Sequence, residues 1–259
     1  MSTLAWILTF TFLGGVLSTL AASIFLVSPA NARARLLPHL ISFATGTLLG
    51  AAFLGLLPHA LDGAGLDRMH TVGATVLGGI LVFFLLEKLV LWRHCHLDEC
   101  EAHGPQERHR DAASGTMILV GDSIHNLLDG VLIAAAFLTD VHLGIVTALA
   151  VIAHEIPQEV GDLAVLLNGG MSPVGALACN LMTGIAAVLG GLLAWYWLDA
   201  ASSLLPYVLA IAASSFLYVA VADLIPGLHR RVGARASVAQ LTLIAAGVGV
   251  VQLTHSTLH

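Results

Sequence analysis

Charge is scarce in this 259-residue chain: Asp, Glu, Lys and Arg together make up 10% of it, against about 25% in a soluble domain. A chain of this length buries a core but cannot cover its outside with so few charges. The shortage excludes an ordinary soluble globule and points to a lipid exterior, where the outside stays apolar. The apolar fraction of 58% and the mean hydropathy of +0.91 agree. Cysteine is scarce too: Cys95 and Cys100 share one polar stretch, and Cys179 lies in an apolar run. That odd, sparse set excludes a disulfide framework. The 10 Lys and Arg residues form no basic stripe, which excludes nucleic acid as a partner. No basic residue precedes the first apolar run, so that run reads as a retained helix rather than a cleaved leader.

What the chain has in abundance is apolar windows long enough to cross about 30 Å of hydrocarbon. They fall at 4–27, 39–61, 70–92, 114–138, 142–168, 173–198, 206–228 and 236–258. The expectation is an all-α integral membrane protein of eight transmembrane helices, forming a single domain over 1–259. Basic residues set its orientation. Arg33, Arg35, Lys88, Arg93, Arg108, Arg110, Arg230, Arg231 and Arg235 fall on one side, and Arg68 alone on the other. That bias puts both termini outside and the loop between helices three and four in the cytoplasm. The loop carries His94, Cys95, His96, Cys100 and His103 among acidic residues. Its spacing does not match a closed zinc site, so it reads as a solvated segment with transient metal binding.

Ionisable groups at membrane depth are expensive, and their default reading is functional. Here they concentrate in two windows. The fourth reads Gly121-Asp122-Ser123-Ile124-His125-Asn126-Leu127-Leu128-Asp129-Gly130. Asp122, His125 and Asp129 share one helical face. The fifth reads His154-Glu155-Ile156-Pro157-Gln158-Glu159-Val160-Gly161-Asp162. His154 and Gln158 share a face, with Glu155, Glu159 and Asp162 in a stripe beside them. A short turn near Thr139 to His142 makes the two helices antiparallel neighbours. At a rise of about 1.5 Å per residue, His125 and His154 then lie at the same depth. Imidazole nitrogen with carboxylate oxygen suits zinc, iron or manganese better than calcium or magnesium, and the lack of thiolate disfavours copper(I). Pro157 removes one helical donor and frees the Ala153 carbonyl beside the cluster. Asp122, Glu159, Asp162 and Asp223 are pathway or supporting residues on this reading. Leu57-Pro58 in the second window and Ile225-Pro226 in the seventh form a faint echo, of the kind inverted repeats leave in transporters.

The paired motifs resemble the ZIP (zinc/iron-regulated transporter-like) family. Its pattern is His-Asn-x-x-Asp-Gly in the fourth helix and His-Glu-x-Pro-His-Glu-x-Gly-Asp in the fifth. The second helix, Phe43 to Gly50 running on to Leu57-Pro58, is similar as well, as is Ser215 to Ala220 with Asp223 to Pro226 in the seventh. The resemblance implies eight helices with outside termini, a homodimer, and a place in the cell (inner or plasma) membrane. It implies that the chain is no enzyme and takes no cofactor. Its cargo is then zinc, with iron, manganese or cadmium as alternatives, moved toward the cytoplasm. It also implies a two-metal centre: His125 and Asp129 at one metal, Asn126, His154 and Glu155 at the adjoining one, with Asp129 and Gln158 between. Three departures stand out. Gln158 replaces a His or Glu, Ala51 and Gly55 replace Asp and His, and Ala187 replaces a Glu. Two rival readings remain open. One is a metal exporter or proton-coupled antiporter using the same ligands. The other is an intramembrane zinc protease, for which His154-Glu155 starts the His-Glu-x-x-His motif but Gln158 stands where its second His belongs.

Overall fold

A computed structural model describes residues 1–95, 107–230 and 233–257. Among the described residues, eight helices are long and apolar enough to cross a membrane. They are α1 (Thr3–Val27), α2 (Ala30–Ala64) and α7 (Ser202–His229), with α3 (Met69–Cys95), α4 (Glu107–Thr139), α5 (Val141–Asn168), α6 (Pro173–Ala200) and α8 (Ala234–Thr257). In hydrocarbon only a helix satisfies its own backbone, so the apolar runs have no other regular structure open to them. The second helix starts well before its apolar window, directly after Pro29. Its first turns carry Arg33 and Arg35, which apolarity alone could not assign to a helix.

Local signals set the ends. Asp140 alone separates α4 from α5, and its Oδ1 accepts from the amides of His142 at 2.8 Å and Leu143 at 3.0 Å. Burial works to raise the Asp140 pKa, but those two amides and nearby His142 outweigh it and hold the carboxyl below its ordinary range. Ser172 caps α6 through Gly175, and Pro173 takes the first helical position, where its missing N–H is harmless.

Small residues bring the helices together. A Cβ added to Gly130 on α4 would stand 1.9 Å from the Ala187 carbonyl oxygen on α6, and one on Gly190 would stand 2.0 Å from that of Leu127. These two backbones touch because the glycines lack side chains. α4 also packs on α5 and α1, while α2 packs on α8, α5 and α7, and α3 on α7. Trp6, Phe10 and Phe137 stack at centroid distances of 5.4–6.1 Å and seal α1 to α4 at the end away from the α3–α4 connection.

The Leu-Pro and Ile-Pro echo has a backbone counterpart. A π-helical stretch, Ala51–Leu56, precedes Pro58, and another, Val219–Leu224, precedes Pro226. The amide of Leu57 donates to the carbonyl of Ala52, and that of Ile225 to Ala220. Each proline lacks the N–H that an α-helix would aim four residues back, and the ladder widens beside it. α5, by contrast, runs through Pro157 without interruption.

Candidate metal centre

The one-residue turn at Asp140 brings α4 and α5 side by side in opposite directions. His125 and Asp129 on α4 and His154 and Glu155 on α5 lie at similar distances from it along the chain, so they meet at one depth. Asp129, His154 and Glu155 are buried, and the His125 side chain is 22% exposed.

One donor atom from each residue lies within 4.8 Å of the others. The two imidazole Nε2 atoms are 3.4 Å apart. Asp129 Oδ2 is 3.3 Å from His154 Nε2 and 3.8 Å from His125 Nε2. Glu155 Oε1 is 3.3 Å from His125 Nε2 and 3.8 Å from His154 Nε2. A tetrahedral zinc with bonds of about 2.0–2.2 Å needs donors separated by about 3.3–3.6 Å. Three of these edges fit, and the other two need to contract by a few tenths of an ångström. Asp129 Oδ2 and both Glu155 oxygens are buried without a hydrogen-bond partner. His154 Nδ1 lies 2.9 Å from the Ala150 carbonyl. That oxygen can only accept, so Nδ1 carries the proton and Nε2 turns a lone pair to the centre. The His154 ring also packs edge-on against Phe216 of α7, with centroids 6.0 Å apart.

A cavity of about 850 Å³ reaches this centre. His125, His154, Gln158 and Pro157 are among the residues that line it. Phe83, Glu87 and Leu89 of α3 and Ile118, Val120 and Asp122 of α4 line the end nearest the α3–α4 connection. In the other direction Ile133, Ala136, Phe137, Val146 and Val151 form a closed apolar core. Among the described residues, the cavity that reaches the centre is lined toward the α3–α4 connection.

Comparison with known proteins gives the chain a family. Residues 3–112 and 92–254 match the family described as ZIP Zinc transporter. The chain belongs to the ZIP zinc transporter family. It is similar to "Zinc transporter ZIP13" of Pongo abelii, 33% identical over 229 residues that cover 84% of this chain and 66% of that protein. The human protein of that name is 31% identical over 260 residues, covering 84% and 70%. "Zinc transporter zipt-7.1" of Caenorhabditis briggsae is 30% identical over 315 residues, covering 98% and 80%. The ZIP family is one of transporters, not enzymes, and the protease reading of His154-Glu155 falls away.

Other positions that the ZIP resemblance singles out are placed differently. The Asn126 amide nitrogen donates to Asp122 Oδ1 at 3.0 Å and to the Asp122 carbonyl at 3.3 Å, one turn away from the four-donor group. Gln158 lies on the cavity wall together with His125 and His154. Ala51 is buried in the first π-helical stretch of the α2 core. A Cβ on Gly55 would meet Leu143 Cδ1 at 3.2 Å, which leaves an imidazole no room without repacking. Ala187 is buried against α4. Asp122, Asp162 and Asp223 line the cavity. Glu159 does not; it is fully buried and accepts from the Thr19 hydroxyl of α1 at 2.8 Å and the Asn180 amide of α6 at 2.6 Å. His96, Cys100 and His103 lie outside the described residues, and only the backbone of His94 and Cys95 is described.

Sequence reasoning missed Thr19, Asn180 and Glu87. Glu87 lines the cavity and accepts from the Tyr218 hydroxyl of α7. A carboxylate and an amide inside apolar windows, Glu87 and Asn180, are the available signals, and neither belongs to a motif.

Proposed function

We propose that this protein carries a divalent transition metal, zinc first, with His125, Asp129, His154 and Glu155 as direct ligands. The observation that carries the reading is the buried set of two imidazoles and two unpartnered carboxylates at zinc-ligand separations. Two carboxylates match the charge of a divalent ion in a low-dielectric setting, and imidazoles select zinc over calcium or magnesium. The names of the relatives support the choice of metal.

Movement is toward the cytoplasm on this reading. The cavity leads from the centre to the end that carries nearly all the Arg residues, and basic residues mark the cytoplasmic side. The termini then face outside, the chain sits in the cell membrane, and it works as a homodimer. Zinc uptake into proteoliposomes of known orientation tests direction, and an exporter or antiporter would move zinc the other way. Bound zinc and uptake in Asp129→Ala and His154→Ala test the ligands. Wild-type zinc content and uptake in both variants would refute the assignment. Cross-linking in native membranes and cell fractionation test the dimer and the location.

A further inference from the structure

We propose that the chain holds a second cation, in an all-oxygen position built from Asp122, Glu155, Glu159 and Asn180 on the α1 and α6 side of the His centre. One carboxylate oxygen from each of the three acids lies within 4.8 Å of the others. Asp122 is 5% exposed, and Glu155, Glu159 and Asn180 are fully buried. Their hydrogen-bond donors are neutral: Asn126 to Asp122, and Thr19 and Asn180 to Glu159. Among the described residues no Lys or Arg forms an ion pair with any of them. Three carboxylates this close ionise together only with positive charge between them.

Asn180 supplies an independent observation. Its Nδ2 is fixed on Glu159 Oε2, and its Oδ1 is buried without a hydrogen-bond partner. Asp122 Oδ2 and both Glu155 oxygens are in the same condition. A buried amide oxygen with nothing to accept from, on a side chain fixed to one of the carboxylates, is an available ligand atom.

This is not the second metal position that the family resemblance implies. That position takes Asn126 and His154 with Glu155, whereas this one takes Asp122, Glu159 and Asn180 with Glu155 and holds no imidazole. Position 158 is neutral and faces the cavity, whereas the adjacent Glu159 faces α1 and α6. The donor set also changes class. Three carboxylates and an amide oxygen, with no imidazole, suit a harder divalent ion of the manganese or magnesium type. Glu155 belongs to both groups and links the two ions.

The inference depends on the His-centre reading only through Glu155, and manganese and zinc binding separate the two. The purified full chain in nanodiscs is stripped of metal, saturated with zinc, and titrated with manganese by electron paramagnetic resonance. The expected result is one manganese bound per chain beside the zinc. Glu159→Gln and Asp122→Asn should each weaken manganese by at least about tenfold while zinc binding persists. His154→Ala should weaken zinc and leave manganese in place. If Glu159→Gln loses its bridging contacts and fails to fold, the isosteric Asp122→Asn decides. A zinc-saturated wild type that binds no manganese overturns the proposal, as does unchanged manganese affinity in the folded variants. Zinc binding that survives His154→Ala would instead count against the His centre alone.

Discussion

Gly130→Ala tests whether the α4–α6 contact sets the metal geometry. The new Cβ would lie 1.9 Å from the Ala187 oxygen, 2.7 Å from its carbonyl carbon and 2.9 Å from the Gly191 nitrogen. All three are backbone atoms, so no rotamer change relieves the clash. Real Cβ contacts stay beyond 3.0 Å, so the two helices must separate by about 1 Å in a region packed like a crystal. Overpacking of this kind costs about 1–3 kcal/mol, and backbone against backbone belongs at the upper end. Asp129 is the next residue and moves with Gly130. Ligand distances tolerate only about 0.2 Å, so a shift of about 1 Å takes Asp129 Oδ2 out of reach of an ion held by the two imidazoles. Zinc affinity should fall on the order of 100-fold, about 2.8 kcal/mol. The control is Gly121→Ala on the same helix, where an added Cβ meets nothing within 4 Å. It should gain up to about 1 kcal/mol of helix stability and bind zinc as the wild type does. Isothermal titration of zinc, with melting curves in parallel, reads both effects. A folded Gly130→Ala protein with wild-type zinc affinity would refute the reasoning.

Further outcomes are expected. Gln158→His and Gln158→Glu place a stronger ligand on the cavity wall beside His125 and His154; zinc affinity should rise by titration while the maximal uptake rate stays level or falls, because a deeper well slows release. Unchanged affinity in both folded variants removes Gln158 from the ion's path. Ligand imidazoles must be neutral, so zinc affinity should weaken as pH falls through about 6.5; binding that stays flat across that range argues against His ligation. Asp140→Ala deletes the cap of α5 and should cost about 1 kcal/mol in a melting experiment. Because the folded pKa of Asp140 is depressed, its contribution is present above the ordinary carboxylate range and is lost as pH falls below it.

The eight spans were legible because hydrocarbon demands long apolar runs, and the sequence displays each one. The starts of α2 and α4 were not, since both helices extend into polar residues that hydropathy leaves to loops. The meeting of His125 with His154 followed from helical spacing and a short turn, two local quantities that sequence carries directly. Which way Asn126, Gln158 and Glu159 face did not follow. Gln158 and Glu159 are adjacent and polar, yet one lines the cavity and the other binds Thr19 and Asn180. That choice depends on how α5 is rotated against α1 and α6, and close glycine contacts such as Gly15 on Gly184 bear on it. Spacing within one helix contains no such information.

With zinc held by the four donors as proposed, their exposure sets an order for release. Asp129, His154 and Glu155 have side chains no more than 2% exposed, whereas that of His125 is 22% exposed. His154 is further restrained by the Ala150 carbonyl and Phe216. A zinc ion held by all four is neutral as a complex with its two carboxylates, so leaving for water requires a replacement ligand at each step. His125 is the ligand beside which water has access, and exchange therefore starts on its side. Asp122, Asp162 and Asp223 lie on the same cavity wall and supply the next carboxylates. The centre is thus asymmetric by construction, with His154 and Glu155 of α5 and Asp129 of α4 buried and His125 as the exchangeable outer corner. A neutral Gln158 beside that corner keeps the first exchange shallow, which is what a conducting path requires and a storage site does not.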